Sequence, residues 1–289
     1  MSQTSRRVTL RVPEPTASVR EGSGEPLLLI HPFMLSHEVW ADVVPTLAEE
    51  FDVVAATLPG HWGGPALRRR DVSLDAFADG LEELLDDLGW ETCHVAGNSI
   101  GGWLALELAQ RGRARSVVAI APAGGWKRLS WTQLVVGLKF LMLAPLAFLG
   151  RAIGDLARTA RPLIRLALRV VSVDPARMPR SQQDAFVRAA THCSAFLPYF
   201  WSDLRRGGIR DLGRIDVPIR LVLCEDDWLL PPERHGAMFR DQLPDADVVE
   251  LPGAGHVPMY DDPAGIARLI AEHVGLWKSS ASDGESVSA

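Results

Sequence analysis

Thr92-Cys93-His94-Val95-Ala96-Gly97-Asn98-Ser99-Ile100-Gly101-Gly102 is the stretch on which the fold turns. Thr92 to Ala96 reads as a short buried strand and Ser99 to Gln110 as a helix, with G-x-S-x-G at the join. A turn this sharp leaves the serine in a strained backbone conformation with its Oγ projecting from the sheet. The glycines two residues either side remove side chains that would collide. A helix opening at Ser99 directs free backbone N–H groups at a reacting carbonyl, and the N–H of Ile100 is the natural oxyanion donor. Ser99 is therefore a candidate nucleophile.

Working outward, strand-like and helix-like segments alternate. Val8 to Val12, Leu27 to Ile30 and Phe51 to Ala56 read as strands, with a helix expected over Glu38 to Glu49. Ser73 is placed to cap a helix running to Leu88. After the elbow come strand Ser116 to Ala121, then strand Ile219 to Cys224, helix Pro232 to Gln242, strand Val248 to Leu251 and helix Pro263 to Val274. Such alternation predicts a mostly parallel sheet with helices on both faces. Between Trp126 and Asp203 there are helical patterns and no convincing strand, so a helical cap is expected at 126–203. It splits the core into 1–125 and 204–278, and the Ser-rich tail 279–289 is expected to be disordered.

A serine hydroxyl needs a base. His256 stands in the glycine-rich loop Pro252-Gly253-Ala254-Gly255-His256 after a strand. His94 falls inside a strand, and His37, His192, His235 and His273 fall in helical patterns. The acid that orients the base is expected after the preceding strand, where Glu225-Asp226-Asp227 offers three carboxylates. Asp227 is preferred because Asp227 to Pro231 turns the chain into the next helix; Asp226 and Glu225 stay open. A second oxyanion donor is expected after Leu27 to Ile30, in His31-Pro32-Phe33-Met34. Pro32 has no N–H, which leaves the backbone of Phe33, and His31 is read as a brace for that loop.

With these residues in place the chain resembles the α/β-hydrolase superfamily. The resemblance rests on His31-Pro32-Phe33, Leu58-Pro59-Gly60-His61-Trp62-Gly63-Gly64, the elbow, the Asp227 loop and Gly255-His256. It implies an eight-stranded, mostly parallel sheet, an inserted cap, no cofactor and a Ser99–Asp227–His256 triad. Dehalogenases and epoxide hydrolases of this fold use a carboxylate nucleophile, so Ser99 argues for ester hydrolysis through an acyl-serine. Carbon–carbon bond hydrolysis of ring-fission products, or a cofactor-free perhydrolase or haloperoxidase activity, is the alternative.

The cap is expected to set substrate choice. Trp131, Leu134, Val135, Leu138, Phe140, Leu141, Met142 and Leu146, with Phe196, Tyr199, Phe200 and Trp201 near its return to the core, read either as an acyl pocket for a hydrophobic small molecule or as packing. Leu134 to Leu149 is almost wholly apolar but short for a membrane span, with Lys139 near its middle. Arg158, Arg161, Arg165 and Arg169 share one helical face, read as a solvated surface or as a weak contact to a membrane surface or acyl carrier. The 289 residues carry a formal net charge of −6, which gives nucleic acid no electrostatic footprint. Cys93, Cys193 and Cys224 form neither a CxxC pair nor a metal-ligand spacing. With no apolar leader at the N-terminus, a cytoplasmic location is expected. Oligomeric state is not readable.

Overall fold

The computed structural model describes residues 18–67, 72–154 and 159–287. Its sheet has seven strands among these residues: β1 (Ser18–Gly22), β2 (Glu25–Ile30), β3 (Phe51–Ala56), β4 (Cys93–Asn98), β5 (Ala114–Ile120), β6 (Ile219–Cys224) and β7 (Asp247–Leu251). They lie in the order β1-β3-β2-β4-β5-β6-β7, with β1 antiparallel to β3 and every other pair parallel. The expected count of eight is thus seven here; the strand read at Val8 to Val12 lies outside the described residues.

The central strands are apolar on both faces because helices cover both. Leu27 to Ile30, Val95, Ala96 and Val117 to Ile120 are all buried, as parallel strands in a doubly covered sheet must be. The covering helices include α1 (Val44–Leu47), α2 (Leu74–Asp87), α3 (Ile100–Gln110), α8 (Pro232–Gln242) and α9 (Pro263–Val287). Ser73 caps α2, its hydroxyl accepting the Ala76 N–H at 3.2 Å, which satisfies one of the orphan donors of the first turn.

Between β5 and β6 the chain forms α4 (Trp131–Ile153), α5 (Arg161–Leu168), α6 (Arg180–Thr191) and α7 (Phe196–Arg206). No strand interrupts them among the described residues.

Two segments depart from the expectation. The helix read over Glu38 to Glu49 is a 3₁₀ turn at His37–Trp40 followed by α1. Pro45 lacks the N–H that a continuous helix would bond to Ala41, so the helix breaks ahead of it. At the other end α9 continues past Val274 to Val287, covering most of the tail expected to lack structure. Lys278 to Asp283 contains no proline, and once nucleated a helix gains one bond for each residue added.

Candidate active site

The elbow is built as its sequence demands. Ser99 has φ 58° and ψ −115°, a conformation that costs a non-glycine residue about 1–3 kcal/mol. It is held by three backbone bonds: Ser99 N to Ile120 O at 2.9 Å, and Ser99 O from Ala123 N at 2.9 Å and Trp103 N at 3.1 Å. A Cβ on Gly97 would stand 2.1 Å from Gly101 O, and one on Gly101 would stand 2.2 Å from Ile30 O. Backbone fills both places, so only glycine fits.

Asp227 and His256 meet across the two loops that follow β6 and β7. His256 Nδ1 lies 2.7 Å from Asp227 Oδ2, both residues being only 3% exposed. The other carboxylate oxygen, Oδ1, accepts the Leu230 N–H at 2.8 Å. Of the three carboxylates, Asp227 is the one bonded to His256. Glu225 and Asp226 are exposed, and Glu225 spends an oxygen on Gly253 N at 3.2 Å. With Nδ1 occupied, Nε2 is the ring nitrogen left to face Ser99, and both residues line the same cavity.

Phe33 and Ile100 both line a cavity that also holds Ser99 and His256. Ile100 opens α3, so its N–H has no carbonyl one turn back to bind. Phe33 follows β2, and Met34 beside it takes φ 66°. His31 braces this loop: its Nε2 accepts the Leu58 N–H at 3.0 Å, so Nδ1 carries the proton and donates to Pro32 O at 2.8 Å. Complete burial, with His61 alongside, drives the His31 pKa well below the usual histidine value, which keeps the ring neutral and this bonding pattern fixed.

Two positioning residues carry no local sequence signal. Asn98 is fully buried and its Nδ2 donates to Ile120 O at 3.1 Å and to His256 O at 2.9 Å. It ties the elbow to the histidine loop across 158 residues of sequence. Asp261 accepts from Gly255 N at 2.8 Å, Ser172 Oγ at 2.7 Å and Val173 N at 3.0 Å, clamping that loop to the cap.

Two cavities meet at Ser99 and His256. The larger, about 180 Å³, is lined by Phe33, Phe140, Leu143, Leu146, Ile164 and other apolar side chains of α4, α5 and α6. The smaller, about 60 Å³, holds Trp126, Gln133, Tyr199, Phe200 and Asp203. Burial raises the Asp203 carboxyl to about 6. Its Oδ1 and the indole Nε1 of Trp103 and Trp126, which line the same cavity, have no hydrogen-bond partner among the described residues.

Of the pocket residues read from sequence, Phe140, Leu146, Tyr199 and Phe200 reach a cavity wall. Trp131, Leu138 and Met142 are 74%, 55% and 69% exposed and line neither cavity. The reason is helix phase: Val136, Phe140, Leu143 and Ala147, spaced three and four apart, form the inner face of α4. Phe196 sits one layer back, packed with Met34 and Ala144 and stacked on Phe33 at 6.2 Å between ring centroids. Among the described residues no group of three His, Cys, Asp or Glu side chains is placed to hold a metal ion.

The model of the alpha/beta hydrolase family matches residues 27–269, from β2 into α9. This chain belongs to that family. The hydrolase is 39% identical over 204 residues to epoxide hydrolase EphH of Mycobacterium tuberculosis, covering 70% of this chain and 95% of that protein. It is 26% identical to the pimeloyl-[acyl-carrier protein] methyl ester esterase of Aeromonas hydrophila, over 89% of this chain and 98% of that one. Among solved structures, a thermophilic esterase from Thermogutta terrifontis superposes with a TM-score of 0.72 at 20% identity, covering 90% of this chain and 93% of the other. At that identity the likeness is one of fold.

Proposed function

We propose that this alpha/beta hydrolase cleaves carboxylic esters of hydrophobic acids through an acyl-serine intermediate, with Ser99, His256 and Asp227 as its triad. The observation that carries the reading is one cavity holding a strained serine at a helix N-terminus and a histidine whose far nitrogen is bonded to a buried carboxylate.

Nε2 of His256 takes the hydroxyl proton as Ser99 Oγ attacks the ester carbonyl carbon. Asp227 steadies the imidazolium that forms. The N–H groups of Phe33 and Ile100 receive the oxyanion. The tetrahedral adduct then expels the alkoxide, which leaves as the alcohol with the proton from Nε2. Water attacks the acyl-serine by the same route in reverse and releases the acid. The apolar wall of the larger cavity suits the acyl chain, and the smaller cavity, with Gln133 and Asp203, suits the alcohol.

The relative named an epoxide hydrolase raises a second reading, which the nucleophile opposes. Opening of an epoxide by a serine hydroxyl gives an ether, and an ether has no carbonyl for water to attack. A carboxylate nucleophile gives an ester, which water can cleave. Ester turnover therefore fits residue 99 and epoxide turnover does not.

The test is a panel of p-nitrophenyl esters of increasing acyl length run beside styrene oxide. Medium-chain esters should exceed acetate in kcat/KM, Ser99→Ala should fall to the uncatalysed background, and a fluorophosphonate should label Ser99. Diol production from the epoxide, or esterase activity surviving in Ser99→Ala, would overturn the proposal.

A further inference from the structure

We infer that the outer face of the cap is a docking surface for anionic lipid bilayers, through which the mouth of the Ser99 cavity opens toward the membrane. Four observations carry this.

First, α4 is a 23-residue helix with its apolar side chains turned outward. Only 17% of its most apolar 18-residue window is buried. Trp131, Leu138, Met142 and Leu149 on α4, and Leu163 and Leu166 on α5, are all more than half exposed. An exposed apolar patch on this scale marks an interaction surface rather than ordinary scatter.

Second, α4 is tethered along its length and so lies on a surface instead of crossing it. Gln133 Nε2 donates to Asp203 O at 2.8 Å. Lys139 donates to the carbonyls of Trp228 and Leu229 and sits 4.7 Å from the centre of the Trp228 ring. Val136 and Ala144 are buried, and Ala144 packs with Met34 of the loop after β2.

Third, the cap is basic on an otherwise acidic protein. Residues 126–203 contain eleven Lys and Arg against four Asp and Glu, a net charge of +7 in a chain whose total is −6, so the remainder carries −13. Lys127, Arg128, Arg151, Arg165, Arg169 and Arg205 are exposed. Cations bordering an apolar helical face are the composition of an interfacial helix, and anionic headgroups attract them within about one Debye length.

Fourth, the apolar surface is continuous with the site. Leu146, Leu149, Ile153 and Leu163 line the larger cavity and are 44%, 58%, 41% and 58% exposed, so they rim its mouth. A lipid-dissolved ester entering between them would keep its acyl chain out of water as far as Ser99. This last point rests on the ester reading of the site; the docking does not.

The charge selects lipid over the other occupants. A second copy would set one +7 cap against another. An acidic carrier protein would answer the arginines but leave the apolar ridge of α4 in water.

The test is co-sedimentation of the full chain with vesicles of phosphatidylcholine alone or mixed with phosphatidylglycerol, at low and high salt. The wild type should favour the anionic vesicles by about tenfold or more. Leu138→Asp with Met142→Asp should abolish recovery by removing insertion, and Arg165→Glu with Arg169→Glu should abolish the preference for anionic lipid. Neither pair lines a cavity, so turnover of a short soluble ester should stay within twofold, which also shows that each variant is folded. Failure of the wild type to bind vesicles, or binding indifferent to both pairs, would overturn the inference. So would sedimentation velocity showing a dimer dispersed by the aspartates, or an acyl carrier protein bound in place of vesicles. Vesicle binding without ester turnover would sink the reaction and leave the docking. Ester turnover without vesicle binding would do the opposite.

Discussion

Replacing Asp227 by asparagine keeps the shape of the side chain and moves one proton. In the native site each carboxylate oxygen has its own donor: Oδ1 takes the Leu230 N–H at 2.8 Å and Oδ2 faces His256 Nδ1 at 2.7 Å. Asparagine has one oxygen to serve both. With the oxygen at Leu230, the NH₂ points at Nδ1, which must then be unprotonated, so the proton moves to Nε2 and the ring cannot accept one from Ser99. With the amide flipped, the working tautomer survives but the NH₂ faces the Leu230 N–H and a buried donor goes unpaired, at about 1–3 kcal/mol. The working arrangement is therefore populated at roughly one part in ten to one in a hundred. Loss of the charge that steadies the imidazolium takes the total to about 10³–10⁴-fold in kcat, or about 4–5.5 kcal/mol. Asp227 lines neither cavity, so KM for a p-nitrophenyl ester should change by less than about threefold. Steady-state kinetics measures both. A kcat within tenfold of wild type, or an Asp226→Asn variant as damaged as Asp227→Asn, would refute the assignment.

Gly101→Ala would drive a Cβ to 2.2 Å from Ile30 O and 2.9 Å from His31 O. Helix α3 and strand β2 would have to part, and urea denaturation should show a loss of at least about 3 kcal/mol; a loss under 1 kcal/mol would mean that the elbow yields. Asp203 presents the opposite sign. Burial raises its carboxyl from 3.8 to about 6, so the folded state holds the proton more tightly than the unfolded chain does, and the cost of ionisation grows as pH rises from about 4 through 6. Asp203→Asn should match the wild type in thermal melts near pH 4 and exceed it by up to about 3 kcal/mol at pH 8, and a gap constant with pH would contradict the raised value.

What could be read from the chain follows from how local each signal is. The doubly buried strands, the elbow and the glycine-rich histidine loop each declare themselves within a few residues, because sterics between near neighbours impose them. Asp227 was legible only as one of three adjacent carboxylates; what separates it is burial, which depends on a loop elsewhere. Asn98 and Asp261 left no trace, since a polar residue in a strand or turn looks the same whether it faces solvent or bridges two loops. The inner face of α4 cannot be told from its outer face in the sequence, for a different reason. Both faces of that helix are apolar, so periodicity has no contrast from which to take a phase. Trp131, Leu138 and Met142 read no differently from Phe140, yet it is Val136, Phe140 and Leu143 that form the wall.

That missing contrast has a physical meaning. The elbow is pinned by backbone carbonyls of Ile30, Ile120 and Gly101, contacts that side-chain substitution elsewhere in the core leaves in place. The cap differs, because α4 touches the body through a few points such as Lys139 and Ala144 and turns large apolar groups away from it. A soluble cap gains nothing from Leu, Met and Trp on its outer face, where each exposed apolar group raises the risk of association. Leu146, Leu149 and Ile153 carry that face to the mouth of the cavity, where the proposed docking would give it a use. On this proposal the reaction is set by the rigid half of the molecule, and the access of substrate by the half whose two faces are alike.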